Sequence, residues 1–275
     1  MQKTLVRRPA VAGRFYPGDA ASLTRDIEEY LGPAEDAAAT VESALGCIAP
    51  HAGYMYSGHV AGAVYRRLPP RVSYIVLGPN HFGRGDPLAT NSKGAWLTPL
   101  GEIPVDADLA AALLAASPLV TEDDVAHAAE HSLEVQLPFL QRTARQFRFV
   151  PVAVGVGGYA ALEALGHGVA RAIQSAPQPV LIVASSDMNH YEPDSLTRIK
   201  DRKAIDQILK LDARGLYDVV HRERISMCGF GPAVALLTAA RDLGARKADL
   251  VKYATSADAG GDAEAVVGYA GIIIS

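Results

Sequence analysis

The sequence predicts a single α/β domain: a sandwich with a largely parallel central sheet spanning residues 1–275. Three observations predict it. Short β-branched apolar runs recur along the chain, as buried strands do. Segments of helical periodicity separate several of them, the alternation typical of α/β folds. No internal repeat or long linker divides the chain. With 275 residues, 49% of them hydrophobic, it can bury a core without disulfide staples.

The expected strands are 44–49, 72–78, 147–155, 179–186, 249–256 and 264–275. The expected helices are 19–31, 58–68, 107–116, 123–145, 159–174, 198–220 and 231–243. Asp19 is a candidate N-cap for the first, with Leu23, Ile27, Tyr30 and Leu31 at helical spacing. Residues 32–41 read as an exposed connection. Pro232 in the first turn and Gly244 beyond the last turn frame the final helix.

Composition excludes several classes. Lys plus Arg is 26 and Asp plus Glu is 30, a formal charge of −4, with no basic block for nucleic acid. No apolar run reaches the ~18 residues of a membrane helix. Two cysteines make no disulfide framework, and with no signal-peptide pattern the expected location is a reducing cytoplasm. HExxH, paired CxxC, P-loop and GxSxG motifs are absent.

The chemistry-bearing residues follow the strands. IAPHAGYMYSGH (48–59) puts His51 just past a strand end, and PNHFG (79–83) does the same for His81. Ligands in parallel sheets sit beyond the carboxyl ends of the strands. A lone loop histidine is usually only hydrogen-bonded; two in matched contexts point to a metal-ligand pair. In SSDMNHY (185–191), Asp187 and His190 are further ligands, an orienting pair, an acid/base pair or simple turn chemistry, and the sequence leaves these open. EHSLEVQLPFL (130–140) carries His131 and Glu134 at a spacing that shares a helix face and occurs in zinc hydrolases. An acidic helix start near Glu130 explains it more simply. Tyr54 and Tyr56 are pocket aromatics or half-buried packing, and His59 borders the same segment. Cys228, just ahead of the final helix, is expected to have a thiol pKa lowered by the helix dipole. Cys47, inside an apolar strand, reads as inert.

These motifs resemble the Memo (mediator of cell motility) family nearly end to end. The resemblance is carried by RRPAVAGRFYPGD (7–19), APHAGYMYSG (49–58), LGPNHFG (77–83), EHSLEVQLPFL, SSDMNHY, CGFGP (228–232) and VVGYAGI (266–272). It implies a fold like that of the class III extradiol dioxygenases, which are non-haem iron enzymes. It implies a metal pocket of His51, His81 and Cys228; the residues themselves add the expectation that His131 and Tyr54 lie in the pocket and that Asp187 and His190 are the catalytic groups. Fe(II) is the leading metal, with copper or zinc as alternatives. A thiolate where the dioxygenases use a carboxylate argues against ordinary catechol cleavage. Microbial members are called AmmeMemoRadiSam system protein B, which implies radical-SAM and AMMECR-type proteins as partners. Three functions compete: a metal-dependent oxidoreductase acting on a small or peptidyl substrate, a zinc-type hydrolase with Asp187 or Glu134 as base, and a peptide-binding module with a vestigial crevice.

Overall fold

The computed structural model describes residues 5–33, 39–144 and 146–275. The expected connection at 32–41 therefore falls partly outside them.

The four strands most clearly written in the sequence form the middle of the sheet: β2 (Gly46–Ala49), β3 (Ser73–Pro79), β8 (Arg148–Val154) and β9 (Val180–Ser185). They pair in parallel in the order β2-β9-β3-β8. Their side chains alternate between two cores. Ile48, Ile75, Leu77, Val152 and Ile182 face one, while Cys47, Tyr74, Val76, Phe149 and Val183 face the other. Burial on both faces is why these strands read as continuous apolar runs.

Helices cover both faces. On one side lie α3 (Ala107–Ala116), α5 (Tyr159–Ser175), α6 (Asp194–Leu209), α7 (Ala213–Arg222) and α8 (Phe230–Asp242), all contributing to the first core. On the other lie α1 (Ala20–Leu31), α2 (Tyr54–Tyr65) and α4 (Leu137–Thr143). Asp19 caps α1 by accepting from the Ser22 N–H, as expected.

The periphery departs from the expectation of a largely parallel sheet. β12 (Val266–Ile274) runs antiparallel to β2 and to β11 (Ala248–Thr255). The connection from β11 to β12 spans residues 256–265 with a 3-10 turn at Ser256–Ala259, shorter than the crossover of a dozen or more residues that a parallel pair needs. β4 (Leu88–Thr90) and β10 (His190–Glu192) also add antiparallel pairs, and β7 (Thr121–Glu122) closes the far edge. Nine strands result, parallel at the centre and mixed at the rim. A separate small sheet joins β1 (Val6–Arg7), β5 (Ala95–Thr98) and β6 (Gly101–Pro104) in the order β1-β5-β6.

Two expected helices are corrected. Only 137–143 of the 123–145 segment is α-helical, preceded by a 3-10 turn at Glu134–Gln136. Carboxylates divert the backbone N–H groups upstream: Asp123 accepts from Val125, and Glu130 from His131 and Ser132. The 198–220 segment is two helices, parted at Leu211, which takes a left-handed φ of 56°. Asp212 then caps α7 through the Gly215 N–H.

Candidate metal centre

Parallel neighbours end on the same side, so β2, β9 and β3 deliver His51, Asp187 and His81 to one crevice. The loop before α8 brings Cys228 to it. The cavity there measures about 760 Å³, and His51, His81, His131, Asp187, His190 and Cys228 all line it. Ligand atoms of His51, His81 and Cys228 lie within 4.8 Å of one another. Those of Asp187, His190 and Cys228 do too, as do those of His81, Glu130 and His131.

The hydrogen bonds fix the tautomer of His51. Its Nδ1 lies 2.9 Å from Ser185 Oγ. That hydroxyl spends its one proton on the Ser132 carbonyl at 2.7 Å and accepts from Gln136 Nε2 at 2.7 Å. His51 Nδ1 must therefore be the donor, and Nε2 carries the lone pair. Nε2 points at Cys228 Sγ, 3.3 Å away. Tetrahedral coordination by imidazole nitrogen and thiolate sulfur separates the two by ~3.6 Å, so the pair fits one ion with little movement.

His81 is oriented in the same sense. Its Nδ1 lies 2.9 Å from the carboxylate of Glu130, leaving Nε2 for the cavity. Glu130 is fully buried and also accepts the N–H groups of His81, His131 and Ser132. Burial acts upward on this carboxyl, but the His81 bond and charge and the backbone donors override it, holding the pKa down at about 2. His131 stacks on His81, ring centroids 4.6 Å apart. Burial lowers the His131 pKa, with Glu130 opposing, which favours neutral imidazole.

Asp187 and His190 stand beside this trio. One Asp187 oxygen accepts from the N–H groups of His51 at 2.7 Å and Ala52 at 3.3 Å. Burial raises its pKa despite the pull of His190 and those donors. His190 Nδ1 donates to the Ser226 carbonyl at 2.9 Å, so its Nε2 is the uncommitted nitrogen.

Three sequence expectations change. Tyr54 is not a pocket aromatic: it is 2% exposed, sits in the core and donates its hydroxyl to the Val135 carbonyl. Tyr56, two positions on, lines the cavity instead. Glu134 diverges from His131 and turns inward, pairing with Arg7 and accepting from Ala10 N, Val11 N and Tyr16 Oη. It is spent on the N-terminal strap and is no candidate base. The Cys228 pKa is raised, not lowered: burial dominates, the Asp187 charge adds to it, and donors from Asp187 and Gly229 only partly offset them. A metal ion displacing the proton is then what makes the thiolate. Cys47 is fully buried, with its pKa pushed far up by burial.

The strap runs past the site. Arg7 donates to the carbonyls of His127 and Glu130 and stacks over Trp96, 4.2 Å from the ring centroid. It thereby holds the backbone of the residue that aims His81. Phe15, farther along, packs edge-on against His131. Glu130, Ser185 and Gln136 are the supporting residues the sequence reading did not single out. A second groove of about 670 Å³, near the start of β3 and β8, gathers no comparable set of ligating groups. Among the described residues no helix is long and apolar enough to cross a membrane.

Comparison with known proteins bears on the fold and the family. An uncharacterized protein from Escherichia coli K12, JW3007, superposes with a TM-score of 0.54 over 83% of this chain and 98% of its own. At 13% identity that likeness speaks for the fold alone. A MEMO1 family protein from Methanothermobacter thermautotrophicus is 42% identical over 274 residues, covering 97% of this chain and 99% of that one. Another, from Methanosarcina mazei, is 43% identical over 270 residues, covering 98% and 99%. The Memo-like protein family pattern matches residues 7–273. The chain belongs to the Memo-like protein family.

Proposed function

We propose that the protein is a non-haem metal protein of extradiol dioxygenase-like architecture. In this reading it holds Fe(II) through His51, His81 and Cys228 and acts as an oxidoreductase on a small or peptidyl substrate in the cytoplasm. The observation that carries the reading is the fixed His51 tautomer, whose Nε2 lone pair faces Cys228 Sγ at 3.3 Å. Two imidazoles and a thiolate form a borderline-soft donor set suited to Fe(II), Cu(I) or Zn(II). When bound, such an ion supplies Lewis acidity and, for iron or copper, one-electron chemistry at open coordination positions.

The chain's own residues do the rest. Glu130 and Ser185 hold His81 and His51 through their Nδ1 atoms. Asp187, with one oxygen anchored on two N–H groups, holds or releases a proton at its other oxygen. His190 receives or returns a proton at Nε2 while Ser226 fixes its ring. Phe15 and Tyr56 line the approach. Radical-SAM and AMMECR-type proteins are proposed as functional neighbours on family grounds.

The test is anaerobic purification, elemental analysis and competition titration, with His51→Ala and His81→Ala alongside. Stoichiometric iron in the parent protein and a large loss of affinity in both variants are expected. Full affinity in both would overturn the ligand assignment. Zinc with no oxygen uptake would move the reading to a hydrolase using Asp187 alone as base. A protein that takes up no metal would leave a peptide-binding crevice.

A further inference from the structure

The metal-lining residues occupy only the floor of the cavity. Its mouth has a different character. Tyr56, Tyr191 and Tyr269 line it with Asp262, and among the described residues no lysine or arginine lines any part of the wall. Asp187 and Asp262 are the carboxyl groups that do, and Asp262 is the exposed one. Two cations of the adjoining helix α6 are paired: Lys200 with Glu192, and Arg198 with Asp194 and Asp258.

Tyr56 and Tyr269 belong to a small apolar cluster with Val60 and Ala254 and border the cavity as well. Tyr269 is 2% exposed, yet its hydroxyl makes no hydrogen bond to the described residues and borders the cavity. The hydroxyl is therefore open to the cavity and available to an occupant. Tyr191 is 77% exposed and held in the left-handed region at a φ of 60°, where an aromatic residue is rarely found. Its neighbours enforce this. His190 N donates to Ser226 Oγ at 2.7 Å, and Glu192 accepts from Asn189 Nδ2 at 2.6 Å, across a bulge in the β10–β12 pairing. Backbone strain of this kind gathers at binding sites. Asp262 accepts from the Glu264 N–H through one oxygen, which fixes the carboxylate and leaves the other oxygen uncommitted.

We propose that this mouth is a subsite for a cationic amine, so that the substrate presents an ammonium group to Tyr56, Tyr191, Tyr269 and Asp262 and carries no phosphate or carboxylate there. Aromatic faces attract ammonium ions through the ring quadrupole, and a carboxylate beside them completes the recognition. An anionic group would meet carboxylates with no counter-charge. The proposal takes the cavity of the metal reading as the substrate site. It does not need the metal itself, because the mouth residues are separate from His51, His81 and Cys228.

Calorimetric titration of full-length protein with phenethylamine and with phenylacetate, matched in shape and opposite in charge, is the test. It is run on metal-free and zinc-loaded protein, so a failure of the metal reading appears separately, as absent zinc uptake. Phenethylamine should bind about tenfold more tightly than phenylacetate to the metal-free protein, the weight of one such charge contact; in the zinc-loaded form the carboxylate can also ligate the ion. Asp262→Asn keeps the turn's oxygen acceptor and should bring the two ligands close to parity. Tyr191→Ala should weaken phenethylamine and leave phenylacetate unchanged. Nα-acetyl-lysine methylamide tests the peptidyl source of the same ammonium: tighter binding than phenethylamine assigns a lysine side chain, weaker binding a small free amine. Equal or tighter phenylacetate binding to the metal-free protein, or an unchanged ratio in Asp262→Asn, overturns the proposal.

Discussion

Replacing Glu130 with Gln should damage metal binding through a residue that is not among the three proposed ligands. The carboxylate receives four donors: His81 N and Nδ1, His131 N and Ser132 N. Three of them converge on Oε1, and one, His81 N, reaches Oε2. A Gln carbonyl can serve the Oε1 position, but its amide then faces the His81 N–H, donor against donor. One buried N–H left unpaired costs about 1–3 kcal/mol, and three charge-assisted bonds become neutral ones. We expect a loss of about 3 kcal/mol in the stability of the metal-free protein. Losing the partner that aims an imidazole typically lowers metal affinity by about 10–100-fold. Denaturant unfolding measures the first and competition with a chelator the second. Glu134→Gln is the control, because Glu134 is as buried but serves the strap. It should lose at least as much stability and far less affinity. Wild-type affinity in Glu130→Gln, or equal affinity losses in both variants, would refute the idea that Glu130 acts by aiming His81.

Cys228→Ser should lower Cu(I) affinity steeply, because that ion prefers sulfur, and remove any thiolate charge-transfer band. Cys47→Ser, inside β2, should cost stability and leave the metal bound; the reverse pattern would show that the wrong cysteine was assigned. His190→Ala and Asp187→Asn should retain most of the metal, as measured by elemental analysis, and lose proton-dependent turnover. Loss of all metal in His190→Ala would make it a ligand. Asp201, fully buried and bonded to Asn189 N and Tyr253 Oη, has its pKa raised by burial to about 7. The folded state therefore holds a proton that the unfolded state sheds near the ordinary aspartate value of 3.8. This contribution to stability is full below about pH 4 and is lost as pH rises through about 7, amounting to about 4 kcal/mol at most. Asp201→Asn should flatten that decline in thermal scans between pH 5 and 8, and an unchanged slope would remove Asp201 as its source.

The central strands were legible because burial on both faces writes an unbroken apolar run. The edge strands were not. Leu88–Thr90 and Gly101–Pro104 are three and four residues long and look like turns. The helix expected over 123–145 failed because carboxylates of Asp123 and Glu130 compete for the backbone, which periodicity does not register. Tyr54 was misplaced through a boundary. The second helix starts at Tyr54, four residues before the reading began it. Residues 54 and 56 then lie about 200° apart around its axis, so only one can face the cavity. The grouping of His51, His81 and Cys228 came from motif context and family resemblance. Glu130 escaped because its chief partner, His81, is 49 positions away and no local pattern links them. The direction of the Cys228 shift was misread because burial outweighs the helix terminus, and burial is a tertiary quantity.

The strap also has a temporal side. Arg7 and Glu134 are 127 positions apart. At translation rates of 5–20 residues per second, the arginine leaves the ribosome about 6–25 s before its partner. Cys228 follows His51 by 177 positions, or about 9–35 s. During synthesis both imidazoles are therefore made before the sulfur. On the proposed ligand set, the soft donor is therefore the last of the three to be made, and it arrives only with the loop that precedes α8.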